Sequence, residues 1–322
     1  MKNKTKKENI GVKKIYDTIV IGAGPAGVNT ACYAKRKGLD TLIITKDFGG
    51  QINYTSKIFS NISAGHGINS KKLIENYRKG IKHEDVSIVY DEVLDIKQKE
   101  DTNFIIKGKK NNYKSKTIIL TTGRKPKEVE LPFDKSVKNK KICYFTDYPY
   151  HSLHKSKNIL IVGGGYVGLD VAEELSHTAK TISIVEKTNH LGGNKRRQDK
   201  VKSASNIKIY MNSEVVNIYS KAEKIYALIN HEGVAKEILI DGIFSSIGTV
   251  PVTNFIKRLV KTGDGIIKTG YRGKSKFMSS KNGIFACGDC AVPGYKGFEP
   301  VAAGNAVECA YDVYSFLFKL KH

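Results

Sequence analysis

Apolar residues along this chain come in short unbroken runs that end in glycine-rich turns, and helically spaced stretches follow. The run ending Ile19-Val20-Ile21 leads into Gly22-Ala23-Gly24-Pro25-Ala26-Gly27, and Val28, Ala31, Cys32 and Ala34 then recur at helical intervals. A short apolar run bounded by turns fits a strand buried on both faces, and the i, i+3, i+4 spacing fits a helix packed on it. The pattern predicts a strand over 16–21, a helix ending near Gly38 and a second strand over 41–45. It returns as a strand over 158–162, a helix from about 167 to 179 and a strand over 181–185. Between the two copies it predicts a helix over 69–81 and strands over 86–93, 104–107 and 117–120. A long terminal helix from about 300 to 320 presents Ala306, Ala310, Val313 and Leu317 on one face.

The two copies align without a gap. Ile19–Gly27 and Leu160–Gly168 lie 141 positions apart, and Thr45 and Glu186 stand at the same distance beyond them. In Gly22-x-Gly24-x-x-Gly27 the first glycine permits a tight turn. The second lets a pyrophosphate approach the backbone, and the third lets helix and strand pack closely. The helix N-terminus adds N–H groups and a positive dipole end, and Pro25 suits the first helical position. Gly163, Gly165 and Gly168 repeat this arrangement, with Tyr166 and Val167 opening the helix. One chain with two dinucleotide-binding units points to two nucleotide cofactors and electron transfer between them. The turn-rich segments Thr121–Pro126 and Ile247–Pro251 mark crossings between domains. The expected fold is therefore α/β: two Rossmann-like three-layer nucleotide-binding domains, the second inserted in the first. Residues 15–125 and 246–322 form the outer domain and 128–243 the inner one.

Composition changes this picture little. The chain has 322 residues, is 40% apolar and carries 54 basic against 31 acidic residues, a net +23. It contains no apolar run long enough for a transmembrane helix. The Lys-rich first 14 residues lack a secretory apolar stretch and read as a disordered tail, which makes the cytoplasm the default location. Lysine is spread through the chain without a nucleic-acid motif, so a lysine-biased composition explains the charge, and no nucleic-acid partner is expected. An acidic electron-carrier protein remains compatible with it. His66, His151 and His154 are not at metal-ligand spacing, and no metal site is expected.

Taken in order, GAGPAG, Gly49-Gly50-Gln51, Asn61, Thr121-Thr122-Gly123, GGGYVG, Ile247-Gly248, Phe285-Ala286-Cys287-Gly288-Asp289 and Val301-Ala302-Ala303-Gly304 resemble the low-molecular-weight thioredoxin reductase family of flavoproteins. The resemblance runs through almost the whole chain beyond residue 15. It implies FAD at the first loop, held by Gly22, Gly24, Pro25, Ala26 and Gly27. Gly50, Gln51, Asn61, Thr122 and Gly123 would lie beside the cofactor. Gly288 and Asp289 would reach its ribityl or phosphate region. Val301 and Ala302, at the start of the last helix, would face the flavin's N1–C2=O edge, where a helix dipole favours the anionic reduced form. Thr45 stands where the ribose-binding acid usually is. The second loop, with Gly163, Gly165, Tyr166, Val167, Gly168 and Gly248, would take the pyridine nucleotide. There Glu186 replaces the His-Arg-Arg cluster of NADPH users and predicts NADH, because a carboxylate accepts ribose hydroxyls and repels a 2′-phosphate. Lys187, Arg196 and Arg197 stand nearby and bear on that choice. The resemblance also implies a homodimer.

One family feature is missing. The segment Ile142–His151, where the redox Cys-x-x-Cys should stand before the second unit, holds Cys143 alone. A lone thiol cannot form the intramolecular disulfide that accepts two electrons. Tyr144, Phe145, Tyr148 and Tyr150 enrich the same segment, which either covers the flavin or is an ordinary surface loop. Cys287 and Cys290 have CxxC form but fall in the expected FAD segment, where a packed turn is the simpler reading. Cys32 and Cys309 sit in apolar helical patterns as core thiols. The leading expectation is an FAD enzyme that oxidises NADH and passes electrons to an acceptor such as a ferredoxin- or flavodoxin-like protein. The alternatives are a thioredoxin reductase using displaced cysteines and a flavin-binding scaffold whose catalysis has lapsed.

Overall fold

The computed structural model describes residues 14–54, 58–59, 67–98, 103–128, 130–137, 142–144, 155–271, 275–291 and 297–319. Two compact units result. One draws on the chain up to Asn53, on Lys57–Lys125 and on Pro251 onward; the other is essentially Pro126–Val250.

In the first unit the strands Ser87–Tyr90, Thr41–Phe48, Ile15–Ala23 and Asn112–Leu120 lie side by side in parallel. Asn112–Leu120 is shared lengthwise. Its first half pairs antiparallel with Phe104–Gly108, and its last residues pair in parallel with Ile284–Ala286. Alternation within the buried runs sends Val20, Ile43, Ile119 and Phe285 to one face, against Val28 and Ala31 of the helix Pro25–Arg36 and Ala306 and Val313 of Glu299–Lys319. Ile19, Leu42, Ile118 and Leu120 go to the other face, against Ile96, Phe104 and Ile106 of the antiparallel strands. These side chains are essentially fully buried. Burying each is worth roughly 1.5–3 kcal/mol, which is why the apolar runs dictate the sheet.

The second unit repeats this build. Its parallel sheet runs Ile142–Tyr144, Gly242–Ser245, Asn158–Val162, Thr181–Val185 and Ile207–Tyr210. One face packs on the helices Tyr166–Leu175 and Lys195–Ser203 through Leu169, Leu175 and Val201. The other packs on an antiparallel sheet of Ser213–Lys221, Lys224–His231 and Val234–Ile240 through Ile218, Ala227, Ile229 and Ile240.

Several expectations need correction. The helix expected over 167–179 ends at Leu175, because the Ser176 hydroxyl takes the Glu173 carbonyl and Asn206 takes those of Ser176 and Ala179. The second crossing falls at Val250–Pro251 rather than between 243 and 246, since Gly242–Ser245 is a central strand of the second sheet. Both crossings contain short strands, Arg124–Pro126 and Thr249–Pro251, where turns are expected. The antiparallel sheet and the helix Lys195–Ser203 have no counterpart in the sequence reading.

Candidate functional site

The two glycine turns are the same object built twice. Gly22 and Gly163 sit at φ +109° and +102°, and Gly24 and Gly165 cap their helices at φ/ψ −77°/−173° and −73°/−171°. A Cβ on Gly27 would lie 1.9 Å from the Gly22 carbonyl oxygen, and one on Gly168 would lie 2.0 Å from that of Gly163. The third glycine is therefore a packing requirement, fulfilled identically in both units. The second glycine differs. Gly24 has no atom nearer its missing Cβ than the Gly50 Cα at 4.0 Å, and Gly165 has none within 4 Å. Neither glycine makes a side-chain cap to the first turn of its helix. A bare backbone, an uncapped helix N-terminus and an open face make a cradle for a pyrophosphate in each unit.

The first cradle gathers most of the residues expected beside FAD. A Cβ on Gly50 would lie 3.2 Å from the Gly24 Cα, and one on Gly123 would lie 4.0 Å from the Gln51 amide nitrogen. Thr122 Oγ1 donates to the Val252 carbonyl at 2.7 Å, and the Val252 N–H to Gly123 at 3.0 Å. Gly288 abuts Ala26, so the turn Gly288–Cys290 lies against the start of Pro25–Arg36, and Asp289 accepts from the Gly297 N–H. In the terminal helix Pro300 has no N–H and that of Ala302 donates to the Phe298 carbonyl, while the Val301 N–H has no acceptor outside the helix among the described residues. Thr45 is buried with its hydroxyl on the Asp47 carbonyl. Asn61 lies outside the described residues. These glycines and N–H groups fit a flavin dinucleotide.

In the second cradle Glu186 folds back over the turn. Its carboxylate accepts the Gly164 N–H at 2.6 Å, the Thr188 N–H at 2.9 Å and the Thr188 hydroxyl at 2.8 Å. Partial burial works against its charge. The Thr188 and Gly164 donors outweigh that and hold the carboxyl below its ordinary value, so it is ionised at neutral pH. The Thr188 hydroxyl has a second acceptor in the His190 carbonyl at 3.0 Å, so it can turn away when a ribose hydroxyl arrives. Lys187 is exposed and pairs with Glu214, Arg196 is exposed, and Arg197 pairs with Asp170 at 2.5 Å and Glu173 at 3.0 Å. Gly248, at φ +96°, accepts from the Lys127 N–H.

Sequence reasoning missed the clamp on this turn. The Gly192 N–H donates to the Gly164 carbonyl at 2.9 Å, and the Gln198 amide holds the Leu191 and Gly192 carbonyls at 3.2 Å. Arg197 and Lys200 tie the same helix to Glu173. The signal was the pair Gly192-Gly193, since a Cβ on Gly192 would lie 2.9 Å from the Gly165 Cα. Arg197→Met is expected to loosen this clamp, raising KM for the pyridine nucleotide about 3–10-fold with FAD content unchanged. Steady-state kinetics and flavin absorbance per protein check it; an unchanged KM removes the clamp's role.

Cys32, Cys287, Cys290 and Cys309 are buried. Cys287, Cys290 and Cys309 have no exposed surface, and Cys290 Sγ donates to the Leu120 and Cys287 carbonyls at 3.3 and 3.4 Å. Burial pushes the Cys290 thiol up to about 12. All three and Cys32 are free. Cys143 lies on the edge strand Ile142–Tyr144, opposite Phe244; the rest of its segment, 145–154, lies outside the described residues.

The comparisons agree with this geometry. The model of the family described as pyridine nucleotide-disulphide oxidoreductase matches residues 16–310. One subunit of an alkyl hydroperoxide reductase from Xanthomonas campestris pv. phaseoli is 28% identical over 96% of this chain and 58% of its own length. An NADH dehydrogenase from Bacillus subtilis is 27% identical over 95% of this chain and 60% of its own. The chain thus spans about three fifths of the length of these relatives. The thioredoxin reductase structure from Lactococcus lactis shares the fold, with a TM-score of 0.86 and 24% identity over 94% of this chain and 99% of that one. No helix among the described residues is long and apolar enough to cross a membrane. Two Rossmann-like units with paired glycine cradles, matched over nearly the whole chain by the family model, place this chain in the pyridine nucleotide-disulphide oxidoreductase family of flavin-dependent enzymes.

Proposed function

We propose that the chain is an FAD-dependent NADH oxidoreductase that passes electrons to an acidic carrier protein of ferredoxin or flavodoxin type. The observation that carries the reading is the second turn, where Glu186 is held ionised beside Gly164. A carboxylate there accepts ribose hydroxyls and repels a 2′-phosphate, which favours NADH. When bound, FAD supplies the two-electron centre that accepts hydride from nicotinamide and can release electrons singly. The protein's part is to bind and orient. Gly24, Gly50 and Gly123 leave room for the dinucleotide, the first-turn N–H groups of Pro25–Arg36 would hold its phosphates, and the Val301 N–H would serve the flavin's N1–C2=O edge. Hydride transfer depends on placement rather than on acid–base side chains. In this reading the first unit is the FAD domain and the second the NADH domain, assembled as a homodimer in the cytoplasm.

Anaerobic mixing with NADH tests it. Bleaching of the flavin, faster than with NADPH, is expected; no bleaching leaves only a lapsed flavin-binding scaffold.

A dithiol exit through Cys287 and Cys290 is disfavoured by their burial, because the thiolate is the reactive species and Cys290 is far from forming one. Thiol titration of the native protein should give the same count before and after NADH. A rise that Cys287→Ser abolishes would restore the thioredoxin reductase reading, as would insulin-coupled thioredoxin reduction.

A further inference from the structure

The helix Ser70–His83 turns Leu73 and Ile81 inward and Lys71, Lys72, Lys79 and Lys82 outward, with Glu75 the one carboxylate on the outer face, while Arg78 folds back over Phe48. Its inner side rests on the first cradle. Ile74 Cδ1 lies 3.2 Å from the place of a Gly49 Cβ, and the Arg78 guanidinium lies 4.4 Å from the Phe48 ring centre. The Tyr77 hydroxyl donates to Glu299, the first residue of the terminal helix, at 2.7 Å. This helix is therefore the layer directly outside the loop that leads into Gly50 and Gln51. Its solvent face stands about one helix diameter, ~10 Å, from the cradle.

Basic residues alone do not mark a docking surface on a chain this cationic. What distinguishes this helix is how its charges are used. Lys195–Ser203 also carries five basic residues, but three of them are paired: Lys195 with Asp199, Arg197 with Asp170 and Glu173, and Lys200 with Glu173, which leaves Arg196 and Lys202 without an ion pair among the described residues. On Ser70–His83, among the described residues, Lys72 pairs with Glu75 at 3.7 Å and His83 lies 3.2 Å from Glu84. Among the described residues no carboxylate pairs with Lys71, Lys79 or Lys82. Lys71, Lys79 and Lys82 thus present positive charge on a helix that packs on the Phe48–Gly49 loop of the first cradle, which suits an acidic partner.

We propose that the outer face of Ser70–His83 is the docking surface for an acidic one-electron carrier protein. The proposal rests on the NADH–flavin reading above. The overall exchange balances as NADH plus two oxidised carriers giving NAD⁺, one proton and two singly reduced carriers. Carboxylates on the carrier would meet Lys71, Lys79 and Lys82, steering the encounter and fixing the partner over the cradle.

The test uses the FAD-loaded full chain, the triple variant Lys71→Glu/Lys79→Glu/Lys82→Glu and its neutral counterpart with Gln at the same positions. A 2Fe–2S ferredoxin and a flavodoxin serve as probes. Anaerobic flavin bleaching by NADH should be the same in all three proteins, which reads the parent reaction alone. Equilibrium binding of at least one probe should weaken about tenfold or more in the Glu variant, with the Gln variant between, and the wild-type affinity should fall steeply as salt rises. Equal affinity in all three proteins overturns the proposal, as does binding of neither probe. Charge-dependent binding of anionic vesicles or duplex DNA, without carrier binding, also overturns it. Absence of bleaching in the wild type overturns the parent reaction, whatever the probes do.

Discussion

Alanine at Gly24 is expected to give a folded protein that purifies almost free of FAD, whereas alanine at Gly27 is expected to destroy the fold. Gly24 has an extended backbone that any residue adopts, and an added Cβ meets nothing nearer than 4.0 Å. As apoproteins, wild type and Gly24→Ala should therefore melt within a few degrees of each other. The new methyl would occupy the space through which a pyrophosphate meets the backbone, so FAD content should drop at least tenfold. Gly27 sits at the same turn and behaves oppositely, because its added Cβ would overlap the Gly22 carbonyl at 1.9 Å and crowd Thr121 Oγ1 at 2.8 Å. Helix and strand must part to admit it, at a cost of about 3 kcal/mol or more. Thermal denaturation of the apoproteins and flavin absorbance per protein separate the two effects. Comparing apoproteins matters, since a bound cofactor adds its own stabilisation. Full FAD retention in Gly24→Ala, or a stable Gly27→Ala, would contradict the division of labour read from the turn.

The second large effect is at Glu186. Glu186→Gln should lower kcat/KM for NADH roughly 10–100-fold, the equivalent of losing about 1.5–3 kcal/mol of charge-assisted hydrogen bonding, and should leave FAD content untouched. The NADPH rate should change less, so the ratio of the two rates moves toward unity. The pH behaviour follows from the carboxyl's position below its ordinary value. A group lowered on folding contributes fully above its ordinary value and loses that contribution as pH falls through the lowered one. KM for NADH should accordingly stay flat from neutral into mildly acid solution. Steady-state kinetics with both nucleotides across that range check this; a preference for NADPH in the wild type, or no change in Glu186→Gln, removes Glu186 from recognition.

Both cradles were legible because they follow apolar runs whose burial leaves little choice. Asn158–Val162 and Thr181–Val185 have the expected bounds, and the turns at Gly22 and Gly163 follow from the need for a positive φ. The antiparallel sheet of the second unit was not legible. Its hairpins turn on Ala222-Glu223 and Glu232-Gly233, with positive φ at both central positions, and the first has neither Asn nor Gly to announce it. The helix Lys195–Ser203 buries Val201 and little else, so no apolar stripe marked it. Arg196 and Arg197 bear on the nucleotide choice in the sequence, yet Arg197 is spent on Asp170 and Glu173. Sequence order gives the charges; only the fold tells which are already paired.

Beneath the first turn the Thr121 hydroxyl donates to the Ile21 and Gly22 carbonyls, while Ser246, which occupies the matching place beneath the second, has a buried hydroxyl with no partner among the described residues. The two floors therefore differ in how they are hydrogen-bonded although the turns above them have matching angles. A pinned floor suits a guest that stays through many cycles, and a looser one suits a guest that must leave after each. In the language of lifetimes, one hydroxyl marks the turn for retention and its counterpart marks the other for exchange.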